Sequence, residues 1–308
     1  MSRYAVIDIG TNTCNLLIAN ILPDGSFETL YDRKLPVKLG RGGIHKQILL
    51  PEAIARGINA LQSHSDTIRE YGASKVKVVG TSALRGAANR DEFLEKAKKL
   101  LGWEIELIDG ELEARLIFRG VRLTLPHQIG KYLIVDIGGG STEFILANDE
   151  DIIWKKSFNI GIARVLETFK MSDPVTPAEI LAYEQWFDNH LQELWSTCKI
   201  HQPQTLVGCS GAFDTFMDIY EKAVPDLKIR KVSELPLEAY WQIHERLIYS
   251  DHETRSKMAG MDKMRVEMIV IASVFTNFIL RRLSVRKLLH THNALKEGVM
   301  DRLISKGL

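Results

Sequence analysis

The chain has 308 residues, of which 45% are hydrophobic and 26% are charged, and its formal net charge is +1. These values are typical of globular proteins and exclude disordered, collagen-like and coiled-coil chains. Because 40 basic residues stand against 39 acidic ones, the balance argues against a broadly basic nucleic-acid binder. The sequence shows neither an apolar signal core at its start nor an apolar run of about 20 residues, the length of a membrane span. We therefore expect a cytoplasmic protein with no DNA and no membrane among its partners.

An internal repeat is the strongest organisational signal in the sequence. Residues 4–20 read YAVIDIGTNTCNLLIAN and residues 132–148 read YLIVDIGGGSTEFILAN, and they align without a gap so that Asp8 matches Asp136. Each copy has an apolar run, a small polar turn after Asp-Ile-Gly and a second apolar run, which predicts a β-hairpin. A repeat of this length is too long for a solenoid unit and indicates two domains of similar fold. We place their boundary after Leu125.

The remaining pattern in the first half alternates between helices and strands. It predicts helices over 51–71, 91–101 and 111–121, and strands over 75–79 and 104–108. This alternation is typical of an α/β fold.

The second half is more helical after its hairpin. A long helix over 176–198 opens with Thr176 as a plausible N-cap and a proline in its first turn. A short strand over 205–207 leads through the Gly208–Gly211 turn into a helix. Two more helices are predicted over 237–249 and 263–282.

The two Asp-Ile-Gly turns are the first candidate for chemistry. A strand that ends in Asp and continues into Gly and small hydroxyl residues places backbone N–H groups where they can bind an anion. Asp8 and Asp136 would repel a phosphate unless a cation such as Mg²⁺ lay between them. Two ordinary hairpins with glycine turns are the alternative, which the matched pair makes less favourable. The predicted phosphate-binding residues of these turns are Gly10, Thr11, Asn12, Thr13, Gly138, Gly139, Gly140, Ser141 and Thr142.

Charged side chains in two further segments, and one at the end of the second glycine turn, are also candidate site residues. Arg85 lies where a predicted strand opens into a helix and could clamp a phosphate, although a surface ion pair is the ordinary interpretation. In the 109–118 segment, Glu111 fits simple helix capping. Glu113 projects another way and is a candidate general base if it faces the cleft. Glu143, at the end of the second glycine turn, could bind a metal or a water.

The third small-residue turn is weaker evidence. Gly208, Ser210 and Gly211 could hold a third phosphate or a nucleoside, or could form a structural turn. His290 and His292 suggest a metal pair, but no third ligand stands close by in the sequence, so we expect a strand end.

Other reactive groups receive ordinary interpretations. The basic run 281–287 is expected to be a solvated helix end, with an anion-attracting patch as the alternative. The three cysteines, Cys14, Cys198 and Cys209, are expected to be free thiols. Neither Cys14 nor Cys209 has an evident neighbouring base, so we expect both to be small buried residues.

These motifs come in the order and spacing of the exopolyphosphatase/guanosine pentaphosphate phosphatase (Ppx/GppA) family, which the chain resembles over nearly its whole length. The most specific parts are DIGGGSTE at 136–143 and the Gly-x-x-Glu-Ala-Arg-Leu run at 110–116. The resemblance implies two ribonuclease H-like α/β domains, 1–125 and 126–292, of the actin, sugar kinase and chaperone ATPase superfamily. It also implies an active site in the cleft between them and a final helix, within 293–308, that packs back on the first domain.

The resemblance further implies a Mg²⁺-dependent hydrolysis of a terminal phosphoanhydride. Glu113 would match the glutamate that activates water, and Arg85 would hold phosphate with the glycine turns. Asp136 and Glu143 would hold metal and water, with Asp8 as the third metal candidate. The sequence departs from the family pattern at Leu112, where a glutamate is common, and it resembles the family's short form.

The residues leave several functions open. Inorganic polyphosphate is the first expected substrate, and the 5′ end of guanosine pentaphosphate is the second. The motifs also permit a phosphotransferase of the same superfamily, or a non-catalytic sensor that binds polyphosphate or alarmone nucleotides. A homodimer is left open as well, because the predicted helices at 176–198 and 263–282 have apolar faces.

Overall fold

The computed structural model describes residues 2–127, 129–225 and 232–305. The chain divides into unit 1, which comprises Met1–Gly120, Gly138–Gly140 and Ala294–Leu308, and unit 2, which comprises Val121–Ile137 and Ser141–Asn293. Unit 1 therefore includes the final helix and the middle of the second glycine turn, and its first segment ends before Leu125. Parts of the predicted domains and of the predicted final helix, namely Met1, Gln128, 226–231 and 306–308, lie outside the described residues.

The first half of the chain alternates strands and helices, as its hydrophobic pattern predicts. In chain order the elements are β1 (Arg3–Ile9), β2 (Thr13–Ile21), β3 (Phe27–Pro36), α1 (Pro51–Tyr71), β4 (Lys75–Gly80), α2 (Ser82–Gly86), α3 (Arg90–Leu101), β5 (Ile105–Leu107) and α4 (Gly110–Arg122). In the described part of unit 1 the strands form one sheet in the order β3-β2-β1-β4-β5. β1, β2 and β3 pair antiparallel, whereas β4 and β5 continue the sheet in parallel.

Helix α1 packs on β2 and α3, and its ends follow local chemistry. Pro51 occupies the start of the helix, where its fixed φ is favourable and its missing N–H costs nothing. Gly72 has a φ of 62° and ends the helix in the left-handed conformation that glycine adopts without strain. The buried face of α1 joins Phe93 of α3 in the core of unit 1.

The second half supplies the other sheet and most of the helices. Its elements are β6 (Tyr132–Ile137), β7 (Thr142–Ala147), β8 (Ile152–Phe158), α5 (Ile162–Thr168), α6 (Pro177–His190), α7 (Gln192–His201), β9 (Thr205–Cys209), α8 (Ser210–Glu221), β10 (Val232–Glu234), α9 (Leu237–Tyr249), α10 (His252–Ser256), α11 (Ile269–Leu283), β11 (Lys287–Thr291) and α12 (Leu295–Ser305). Among the described residues the sheet order is β10-β11-β9-β6-β7-β8. Its β8-β7-β6-β9-β11 portion repeats the order and directions of the sheet in unit 1. The predicted duplication of fold and both predicted hairpins are therefore confirmed.

Two predicted helices differ from the observed ones. The long helix over 176–198 is wrong as a single element, because the chain leaves helical geometry at the buried Leu191 between α6 and α7. The predicted N-cap is present, since Thr176 and Glu179 form a reciprocal capping box. The helix predicted from residue 263 begins only at Ile269, because Asp262 accepts the Met264 N–H in a preceding turn.

The apolar faces that left a homodimer open lie in the core of unit 2. The rings of Phe187 in α6 and Phe275 in α11 pack against each other with centroids 4.3 Å apart and a tilt of 31°, and both are fully buried. The basic run 281–287, which begins in the last turn of α11, has acidic partners, since Arg281 pairs with Glu184 and Lys287 with Glu234. These contacts fit an ordinary ion-paired helix end.

Helix α12 is held directly against α4 within unit 1. A Cβ on Gly298 would lie 1.8 Å from the carbonyl oxygen of Leu116, and one on Gly120 would lie 1.9 Å from that of Ala294. Arg119 adds an ion pair to Asp301 of α12, with Nε 2.7 Å from Oδ2. The two glycines therefore allow a helix–helix contact at backbone distance. No helix in the described ranges combines the length and apolarity that crossing a membrane requires.

Candidate functional site

Asp8 ends the central strand of unit 1 and is buried. Asn15, its register partner on β2, donates a hydrogen bond from Nδ2 to Asp8 Oδ2 at 2.8 Å. Burial raises the pKa of Asp8 to about 6, although the Asn15 hydrogen bond and the positive charge of Lys296 both act in the opposite direction. Asp8 is therefore a carboxylate whose charge is costly unless a cation stabilises it.

The first hairpin presents oxygen ligands that lack protein partners. Asp8 Oδ1, Thr11 Oγ1 and Asn15 Oδ1 are buried and make no hydrogen bond to the described residues. Each buried polar atom without a partner costs about 1–3 kcal/mol. Because Mg²⁺ takes oxygen ligands, and carboxylates in particular, this donor set fits that ion.

Lys296 is a buried cation that the sequence analysis did not single out. Its Nζ lies 2.7 Å from Glu297 Oε1 and 3.3 Å from Asp32 Oδ2. Its charge also lowers the pKa of Asp8. A lysine at the first turn of a helix gives no sequence signal of burial, so only the packing of α12 on β1 and β2 reveals it.

The structure brings the first turn, the second glycine turn and α2 together in unit 1. A Cβ on Gly139 would lie 2.4 Å from Asn12 Nδ2, and one on Gly140 would lie 2.5 Å from Ser82 Oγ and 2.6 Å from Thr11 Oγ1. The side chains of these neighbours therefore require glycine at both positions. Ser82, at the start of α2, joins the candidates through this contact.

Arg85 and Glu113 form a partly buried pair beside these turns. Arg85 Nη1 donates to Glu113 Oε2 at 2.8 Å and to the carbonyl oxygen of Ile108 at 2.7 Å. Its Nε and Nη2 make no hydrogen bond to the described residues. Arg85 lies one helical turn from Ser82 and so shares its face of α2. Glu113 is 6% exposed, and Asp109 caps its helix by accepting the Leu112 N–H.

The acidic candidates of unit 2 lie in one row across its sheet. Asp136 is the register partner of Glu143, and Glu143 is that of Ser157, whose hydroxyl donates to Glu143 Oε1 at 2.6 Å. Both carboxylates are more than nine-tenths buried. Directly opposed cross-strand residues lie about 4.5–5.5 Å apart, and like charges there repel each other. A divalent cation would relieve that repulsion, so this pair also fits Mg²⁺.

The third turn differs from its predicted form. Gly208 lies inside β9, and the space of its missing Cβ is filled by Phe213, 2.0 Å away. Gly208 is therefore needed for packing, and its contact with phosphate stays a prediction. Ser210 has a φ of 66° at the start of α8, an uncommon conformation for serine that is concentrated at functional sites.

Arg265 covers Gly211 at the beginning of α8. A Cβ on Gly211 would lie 1.7 Å from Arg265 Nη2, and the buried Arg265 Nε makes no hydrogen bond to the described residues. An arginine at a helix N-terminus strengthens an anion site. Sequence reasoning missed Arg265 because it lies in the first turn of the predicted helix over 263–282, where a charged residue carries no distinctive signal.

His290 and His292 lie at the end of β11 and in the bend before α12, so the predicted strand end is confirmed. The fold adds a third potential ligand, Asp214, that is distant in the sequence. Asp214 Oδ1 lies 2.9 Å from His290 Nε2 and 3.0 Å from His292 Nδ1. Asp214 is 76 residues from His290 in the chain, so spacing within the sequence does not show this cluster.

The cysteines lie as predicted. All three are free and buried. Burial raises the pKa of Cys198 to about 12 and raises that of Cys14 still more strongly. A thiol in such surroundings is not a nucleophile at neutral pH.

Comparisons with known proteins agree with the resemblance. The model of the Ppx/GppA phosphatase family matches residues 17–306. A putative exopolyphosphatase of Haemophilus influenzae is 29% identical over 98% of this chain and 91% of its own length. A guanosine-5′-triphosphate,3′-diphosphate pyrophosphatase of Pseudoalteromonas translucida is 30% identical over 98% of this chain and 59% of its own length. The crystal structure of an exopolyphosphatase from Cytophaga hutchinsonii superposes with a TM-score of 0.94 and 35% identity, covering 99% of this chain and 98% of that one.

Proposed function

We propose, from the premise that this chain belongs to the Ppx/GppA phosphatase family, that this phosphoanhydride hydrolase releases the terminal phosphate of inorganic polyphosphate. Support for this substrate comes from the relatives named exopolyphosphatase, which match over nearly the whole chain. Guanosine pentaphosphate is the second candidate, because the relative from Pseudoalteromonas translucida carries a guanosine nucleotide in its name.

One observation carries the proposal. Within unit 1, the hydroxyl and amide side chains of the first turn meet Gly139, Gly140 and Ser82, and Arg85 with its partner Glu113 lies one helical turn away. The arrangement combines small-residue turns, a partly exposed guanidinium and a buried carboxylate. Phosphoryl transfer needs these parts, because its transition state spreads charge over three oxygens and requires an aligned water.

Different residues of the chain carry out different parts of the proposed reaction. Backbone N–H groups of the turns and Arg85 bind the oxygens of the terminal phosphate. Glu113 orients a water and accepts its proton as the water oxygen bonds to phosphorus. The bond from phosphorus to the bridging oxygen breaks, and the shortened polyphosphate leaves with that oxygen.

Mg²⁺ is the cofactor we propose for this reaction. Asp8 in unit 1 is one candidate ligand, and Asp136 with Glu143 in unit 2 is a separate candidate pair, since each offers buried carboxylate oxygens. When bound, the ion would neutralise charge on the phosphate and on the leaving group.

The decisive experiment is phosphate release from polyphosphate and from guanosine pentaphosphate, measured side by side with Mg²⁺. Glu113→Gln is expected to lower turnover about 10²–10⁴-fold while substrate binding survives. Glu111→Gln is the matched control, because Glu111 lies in the same helical turn but is exposed. Near-normal turnover of Glu113→Gln would contradict the proposed role of Glu113. Release from the nucleotide alone would replace the first substrate by the second.

A further inference from the structure

We propose that Asp214, His290 and His292 form a binding site for a divalent transition-metal ion such as Zn²⁺. The proposal does not depend on the proposed hydrolase activity, and the site is separate from the carboxylates proposed to hold Mg²⁺. It rests on the geometry of three side chains that the fold of unit 2 brings together.

The topology explains why the three ligands meet. β9 and β11 are parallel neighbours, and α8 begins directly after β9, so the start of α8 lies beside the end of β11. His290 lies in β11 and His292 lies in the bend directly after it, and both imidazoles reach the same oxygen of Asp214. Asp214, in the second turn of α8, lies against both imidazoles.

The ligand atoms have the spacing of one coordination shell. One nitrogen of each histidine and one oxygen of Asp214 all lie within 4.8 Å of one another. Bonds of about 2.0–2.2 Å to a tetrahedral Zn²⁺ would place such atoms about 3.3 Å apart. The two histidine–aspartate distances, 2.9 and 3.0 Å, would therefore widen by only a few tenths of an ångström.

The donor set selects a transition metal over Mg²⁺. Imidazole nitrogen suits Zn²⁺ and its neighbours, whereas Mg²⁺ prefers an all-oxygen shell. The three ligands leave a coordination position for a water or an anion oxygen, as in catalytic zinc sites. The side chains are 3%, 11% and 14% exposed for His290, Asp214 and His292, so the site is enclosed yet reachable by an ion.

The site is distinct from the acidic row of unit 2. Register partners in a sheet project to the same face, and consecutive residues project to opposite faces. Asp136, Cys209 and Thr291 are register partners across three strands and so share one face. His290 precedes Thr291 and projects to the other face, where α8 carries Asp214.

A hydrogen-bonded triad without metal would also satisfy the buried charge, with both imidazoles donating an N–H to the same carboxylate. The two accounts differ in a measurable way. The metal site gives one bound ion per chain that depends on all three side chains, whereas the hydrogen-bonded triad binds no ion.

The test uses the whole protein, freed of metal with a chelator and then titrated with Zn²⁺ against a chromophoric competitor. We expect one Zn²⁺ per chain, and a loss of affinity of about 100-fold or more in His292→Gln and in Asp214→Asn. His244→Gln is the matched control, because His244 is a part-buried histidine of unit 2 that hydrogen-bonds Ser273. Its affinity should equal that of the wild type.

Cobalt substitution provides a second readout. Co²⁺ should give visible d–d absorption in the wild type and in His244→Gln, and should lose it in His292→Gln. Circular dichroism without metal would show whether each variant folds. His292 is the more exposed ligand, so His292→Gln still tests the proposal if Asp214→Asn does not fold. Less than one ion per chain, or equal affinity in the wild type and His292→Gln, would overturn the proposal.

Discussion

Replacing Asp8 by asparagine should stabilise the metal-free protein at neutral pH while removing activity. The pKa of Asp8 is about 6 in the folded protein and 3.8 in its ordinary state, because burial disfavours the charge. This difference corresponds to a cost of about 3 kcal/mol for the ionised carboxylate at pH 7. The amide of the substituted side chain would carry no charge and could keep a hydrogen bond to Asn15.

The stabilising effect of Asp8→Asn should depend on pH. The folded protein binds the Asp8 proton more tightly than the unfolded chain does, so this group stabilises folding most below pH 4. Its contribution to the free energy of unfolding falls as the pH rises from about 4 to about 6 and is then constant. The difference in unfolding free energy between Asp8→Asn and the wild type should therefore be near zero at pH 4 and approach about 3 kcal/mol above pH 6.

Urea denaturation with a chelator present, at a series of pH values, measures this difference. Asp24→Asn is the control of opposite sign, since the hydrogen bonds from Ser26 lower the pKa of that exposed carboxyl. Asp24→Asn should be slightly less stable than the wild type at neutral pH. An Asp8→Asn protein that is less stable than the wild type at every pH would refute the reasoning, because it would show that the carboxylate is well solvated or paired.

Two further substitutions test other parts of the molecule. Arg85→Lys should lower phosphate release about 10–100-fold, because lysine lacks the planar fork that can bind Glu113 and a phosphate oxygen together; wild-type turnover would contradict this role. Gly298→Ala should lower the free energy of unfolding by about 1–3 kcal/mol, measured by thermal unfolding, since the alanine Cβ would lie 1.8 Å from the Leu116 carbonyl oxygen. Gly86→Ala, where no atom lies within 4 Å, should leave the melting temperature nearly unchanged.

Local patterns were sufficient to predict most of the fold. The hairpins at Asp8 and Asp136 follow from apolar runs around a polar turn, and α1 follows from its periodicity between Pro51 and Gly72. Such patterns lie within a single element, so they can be recognised without knowing the tertiary contacts. The helix predicted from residue 263 was wrong because a turn stabilised by the Asp262 side chain competes with the helical pattern.

The charged side chains that the sequence analysis missed depend on long-range packing. Asp214 meets His290 because α8 and β11 are neighbours in space, and Arg265 lies over Gly211 from a separate segment. Lys296 is buried because α12 packs on β1 and β2. None of these residues has a distinctive neighbour in sequence. Their surroundings are set by the order of the strands, which a single sequence does not display directly.

The two copies of the repeat differ where their turns must touch. Thr11 and Asn12 of the first copy align with Gly139 and Gly140 of the second, and each glycine lies against one of those side chains. Side chains at both positions in both copies would clash, because a Cβ at Gly139 or Gly140 already falls within 2.6 Å of the first turn. The contact itself therefore forbids identical turns.

A second difference assigns different chemistry to the two hairpins. Asn15 of the first copy aligns with Glu143 of the second, and each is the register partner of the aspartate that both copies share, Asp8 or Asp136. In the first hairpin the partner donates a hydrogen bond to a single carboxylate. In the second, the partner is another carboxyl group, so two buried carboxyl groups lie opposite each other. We propose that this single position gives the second copy the larger set of carboxylate oxygens for the Mg²⁺ proposed above.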